Sequence, residues 1–101
     1  MSKRLSTLLI ILVFFSFSLS SCNYFAARNE MKGAEQSLAQ LKGVGGEKVV
    51  PYEYCSAESF LEISKMEFDQ NDYKAAKGFA TRSKSAAEAG LAEVKGGNRT
   101  K

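Results

Sequence analysis

The feature that most constrains this chain is a stripe of apolar and small residues repeated at alternating steps of three and four. It occurs three times. In NYFAARNEMKGAEQSLAQL the stripe is Tyr24, Ala27, Met31, Ala34, Leu38 and Leu41. In PYEYCSAESFLEISKMEFDQ it is Tyr54, Ala57, Leu61, Ser64 and Phe68. In YKAAKGFATRSKSAAEAGLAEV it is Tyr73, Ala76, Ala80, Ser83, Ala87, Gly90 and Val94. Such steps put residues on one face of an α-helix. The expectation is an all-α fold, a short three-helix arrangement with an antiparallel helical hairpin.

The breaks between stripes agree with this. Gly43 ends the first segment, and the glycines of KGVGGEKVV predict a flexible loop. GVGG lacks the spacing of a phosphate-binding loop. Pro51 suits the first turn of a helix, where its missing N–H has no partner to lose. Phe60, Ile63 and Met66 lie off the second stripe, so that helix is expected between two neighbours. Asn71 or Asp72 can cap the third helix, and its small stripe residues allow close approach. Gly90 fits that close packing, whereas Gly78 lies off the stripe with no evident reason. Residues 51–72 hold six acids and one base, net −5; residues 73–101 hold seven bases and two acids, net +5. That contrast favours antiparallel pairing, although each exposed ion pair is worth under about 1 kcal/mol. The tail from residue 96 to 101 has no apolar side chain to bury and is expected to be disordered.

Ahead of the first stripe, Lys3 and Arg4 precede the uncharged run Leu5 to Phe17. Thirteen residues of helix span about 20 Å, short of the roughly 30 Å of a hydrocarbon core. This reads as a secretory signal over residues 1–21 in preference to an uncleaved anchor. The run ends in Leu19-Ser20-Ser21-Cys22, which resembles the bacterial lipobox. The resemblance implies cleavage between Ser21 and Cys22 and diacylglycerol on the Cys22 thiol. An ordinary secretory site that happens to precede a cysteine is the alternative. Asn23, the residue after the cysteine, is compatible with the outer membrane, because aspartate there signals inner-membrane retention in the enteric sorting rule. With Lys3 and Arg4 removed, 12 bases and 11 acids remain, net +1. That is not the footprint of a nucleic-acid binder. Eighty residues make one small domain with a thin core, placed at residues 22–95. Cys55 then stands alone in an oxidising compartment, where it is expected to be buried or, failing that, to form an intermolecular disulfide.

The run from Val50 to Val94 resembles bacterial envelope lipoproteins that carry the domain of unknown function numbered 4398. Val50-Pro51, Ala57, Leu61, Asn71-Asp72-Tyr73, Ala76, Ala80 and Ala87 carry the likeness. Asn71 stands where glycine is usual, and Ser64 and Ser83 where alanine is usual. With the first helix, the resemblance covers about residues 22–95. It implies a small helical domain tethered to a membrane, and it assigns no activity.

The chain has no histidine, which removes the commonest general base and metal ligand. No zinc set is available to Cys55 alone. Ser64-Lys65 and Ser83-Lys84 are adjacent pairs, which do not face each other on a helix. The expectation is a non-catalytic protein without metal or cofactor. It is tethered by lipid and faces the periplasm from the outer membrane, and its helical hairpin binds an envelope protein. Two further expectations stand beside it. One is a link to peptidoglycan through Lys101. The other is self-association, bridged by Cys55.

Overall fold

The computed structural model describes residues 2–100, with side chains over 2–15 and 22–96. The described chain is all-helical: α1 Ser2–Gly43, α2 Gly46–Val49, α3 Pro51–Asp69 and α4 Tyr73–Thr100. The striped residues become the core. Ala27, Ala34 and Leu41 of α1 are buried, as are Tyr54, Ala57, Leu61 and Ser64 of α3. From α4, Ala76, Ala80, Ser83, Ala87 and Gly90 are buried. The remaining stripe residues are half-buried.

Two hydrogen bonds give the direction of α3 against α4. Ser64 Oγ donates to the Ala76 carbonyl at 2.6 Å, and Ser83 Oγ donates to the Ala57 carbonyl at 2.6 Å. Numbers rise on one helix as they fall on the other, so the two run in opposite directions. Tyr24 meets Tyr73, Glu30 accepts from the Thr81 hydroxyl at 3.0 Å, and Leu41 lies against Gly90. These numbers rise together, so α1 and α4 run the same way. The central element is α4, which packs at length on both α1 and α3, whereas α1 and α3 meet over a shorter stretch. This corrects the expectation that the second striped helix lies in the middle. Small side chains decide it, because they let two neighbours approach one backbone. Of the off-stripe residues of α3, Phe60 stacks on Phe79 with centroids 6.3 Å apart, and Met66 stays exposed.

The glycine segment is a packed corner where a flexible loop was expected. Gly45 turns the chain at φ +79°, and α2 follows for a single turn. Gly46 is buried, and a Cβ there would run into the Leu41 side chain and carbonyl. Pro51 takes its place in the first turn of α3, behind the buried Val50.

At the other end α3 closes in a Schellman motif. Asn71 N donates to Phe68 O at 3.0 Å and Asp72 N to Glu67 O at 2.9 Å, with Asn71 at φ 66°. Asn71 therefore does the work of the glycine usual in this turn, and its Oδ1 accepts from the Tyr73 hydroxyl at 2.9 Å. The cap of α4 is Asp72, whose Oδ1 accepts from Ala75 N at 3.1 Å. The backbone of α4 then stays helical to Thr100, over most of the segment expected to be disordered. Nothing in Lys95 to Thr100 forbids a helix: it contains no proline, and each glycine costs only about 1 kcal/mol.

Glycine substitutions test the close approach of α4 to α1. A Cβ at Gly90 would lie 2.9 Å from Leu41 Cδ2 and 3.1 Å from Glu53 Cβ. Leu41 is fully buried, so it has no room to give. Gly90→Ala should lower stability by about 1–2 kcal/mol, the overpacking cost outweighing the propensity gain. Gly78 faces open space, and Gly78→Ala should add up to about 1 kcal/mol. Thermal unfolding followed by circular dichroism should show the two midpoints moving in opposite directions.

Candidate functional site

Cys22 sits on α1 ahead of Ala27, the first buried residue of the chain among those described. Its side chain is exposed, as is that of Asn23. The helix does not break between Ser21 and Cys22. Serine, cysteine and asparagine are only mildly unfavourable in a helix, and a helix already formed propagates through them. The Ser21 side chain and the whole of Lys101 lie outside the described residues.

Among the described side chains before Cys22, residues 2–15, none is buried. Leu5, Leu8 to Val13, Phe14 and Phe15 are each between 53% and 70% exposed. Among the described residues, no helix is long and apolar enough to cross a membrane.

Just after Cys22 the three helices are closed by aromatic rings. Tyr24 of α1 lies 5.2 Å from Phe68 of α3 and 5.2 Å from Tyr73 of α4, and Phe68 lies 5.1 Å from Tyr73. The Arg28 guanidinium stands 5.8 Å from the Tyr24 ring centre and donates to its hydroxyl at 3.3 Å. Phe25 meets Tyr24 edge-on at 5.5 Å yet remains 63% exposed. Beside it a groove of about 500 Å³ runs between α1 and α3, lined in part by Phe25, Arg28, Met31, Lys32, Glu35 and Phe68. The sequence names Tyr24, Phe68 and Tyr73 as stripe residues without bringing them together. The available signal was their position: each is the first or last residue of its stripe.

Cys55 is exposed and outside any disulfide, which overturns the expectation of a buried thiol. It follows the buried Tyr54 by one residue, about 100° round the helix and off the stripe. It lines a shallow groove with Tyr52, Ser56, Ser59, Phe60 and Ile63. Among the described residues, no group of three or more His, Cys, Asp or Glu is placed to hold a metal.

The opposite charges of α3 and α4 do not meet as ion pairs among the described residues. The pair that forms, Lys65 with Glu35 at 3.3 Å, joins α3 to α1. Across α3 and α4, Glu93 instead faces Glu53. The hydrogen bond they share, and then the charge of Glu53, hold Glu93 above its ordinary pKa of 4.5. Burial, followed by Glu58 and Glu47, raises the Tyr54 hydroxyl above 10.0. No family model, curated protein or solved structure matches the chain.

A raised carboxyl pKa means that the folded state binds a proton more tightly than the unfolded chain. Stability should therefore rise as pH falls through the raised value of Glu93 towards 4.5, and be lost again above it. Glu93→Gln keeps the hydrogen bond and removes the charge. It should raise the unfolding midpoint at neutral pH and flatten the acid-side slope; an unchanged slope would place the dependence elsewhere.

Proposed function

We propose that this chain is a non-catalytic, lipid-anchored protein of the bacterial envelope, related to the family of domains numbered 4398. The chain is cut between Ser21 and Cys22. Cys22 carries the diacylglyceryl group, and the helical domain faces the periplasm, with Asn23 in favour of the outer membrane. The observation that carries this reading is the division of burial along α1. The apolar stretch from Leu5 to Phe15 is exposed throughout, while the described core begins at Ala27. An apolar segment that the fold does not use serves as an address, and Cys22 stands where the two parts meet. The partner in this reading is another envelope protein, held by the α3–α4 hairpin. The outer face of α3 supports it: Tyr52 is 79% exposed beside Cys55 and the groove they share. The same face and its thiol serve equally for self-association.

One geometric fact favours a second reading. Because α4 runs in the direction of α1, the C-terminal end of the chain points away from Cys22. From Tyr73 to Thr100 the helix covers about 40 Å. A lipid at one end and the Thr100 end of α4 at the other, with Lys101 next in the sequence, would suit a link from membrane to peptidoglycan.

Palmitate fed to cells should label the wild-type protein and leave Cys22→Ala unlabelled. Equal labelling of both would remove the tether. Muramidase treatment of envelopes should release a muropeptide-bearing form if Lys101 is the link; recovery of free protein alone would exclude that second reading.

A further inference from the structure

At the end of the bundle next to Cys22, exposed aromatic, cationic and apolar groups converge on one groove. Phe25 projects there at 63% exposure, although its neighbour Tyr24 is held in the ring cluster. Arg28 is held upright against Tyr24 by its hydrogen bond and its place over the ring. The groove beside them has one acid, Glu35, and Lys65 engages it at 3.3 Å. Arg28 and Lys32 therefore leave the groove with positive charge to offer. Aromatic rings flanked by arginine and lysine suit the headgroup layer of a bilayer, where an apolar body and a charged tip are both satisfied.

We propose that this end of the bundle is a foot seated in the phospholipid headgroup layer, with Phe25 inserted and Arg28 and Lys32 on lipid phosphates. The proposal rests on the lipid anchor at Cys22, and it adds a second contact with the same membrane. Distances along α1 decide the ranking. From Cys22, Phe25 lies about 4.5 Å along the axis, Arg28 about 9 Å and Lys32 about 15 Å. The polar layer of one leaflet is about 5–8 Å thick. With α1 standing along the bilayer normal, Phe25 falls within it and Arg28 sits at its outer edge. Lys32 reaches it only with its stem extended, so Arg28 contributes more than Lys32. A headgroup is favoured over a second copy of the chain because the groove opens within three helical turns of the tether, where lipid is always present.

The chain contains no tryptophan, so single replacements report their own surroundings. Full-length F25W and Y52W are expressed in a lipidating bacterium and checked by intact mass. They are then placed in phosphatidylethanolamine–phosphatidylglycerol vesicles with or without brominated acyl chains. Tyr52 lies in the first turn of α3, at the far end of the bundle from Phe25, and is 79% exposed. Lipidated F25W should emit to the blue of Y52W and lose emission in brominated vesicles, while Y52W keeps it. Adding R28A should weaken that quenching more than adding K32A. Lipidated F25W that is unquenched overturns the foot and leaves the anchor standing. A blue shift without quenching also overturns it, because protein then covers Phe25. The reverse order of R28A and K32A, or no weakening, overturns the phosphate contacts. A mass without the diacylglyceryl group overturns the anchor and the foot together.

Discussion

Five buried positions on α4, Ala76, Ala80, Ser83, Ala87 and Gly90, carry nothing longer than a hydroxymethyl group. Interaxial distance is set by the side chains at the contact, and here those are nearly absent. Two helices can therefore lie against one. Closeness also brings backbone carbonyls within reach of Ser64 and Ser83, each fully buried and each donating at 2.6 Å to the facing helix. A helical carbonyl has a second lone pair to accept such a bond. The two bonds are related by reversal: Ala57 and Ser64 on α3 answer Ser83 and Ala76 on α4. Unmatched, each hydroxyl would cost about 1–3 kcal/mol in the core. Among the described side chains none is left buried without a partner, so the serines tie α3 to a single register on α4.

The all-helical fold and its core were legible because the period of the stripe is itself the geometry of a helix face. Every stripe residue ends buried or half-buried. Less legible was which helix occupies the centre. Apolar residues on two sides of α3 argued for it, but closeness depends on what is missing from a side chain. Phe60, Ile63 and Met66 pay out their area on the rim instead. The corner at Gly45 and Gly46 was read as slack because glycine signals freedom and close approach with the same letter. Only the position of Leu41 distinguishes them. At the candidate site, Cys22 and Asn23 could be named from the sequence. The ring cluster beside them required knowing which helix ends meet.

Charge was the weaker guide. The contrast between −5 and +5 is correct as arithmetic, yet exposed side chains find partners by local geometry. Lys65 reaches Glu35 on α1, and Glu93 is left against Glu53. A like-charged pair is tolerated there because buried alanines and serines have already set the alignment of α3 and α4. The field of the hairpin is thus a property of its surface, available to whatever meets it, and it is not what holds the hairpin together.

The unbroken course of α1 through Cys22 has a consequence for any cut made there. In a helix the N–H groups of residues 22–25 are bonded to carbonyls of residues 18–21. Removing residues 1–21 would strip those donors of their acceptors and make a mid-helix turn into a helix start. A bare first turn ordinarily frays. Here Tyr24 is gripped by Phe68 and Tyr73 from the two other helices. The ring cluster would then act as a peg, keeping the trimmed helix wound to within two residues of its new end.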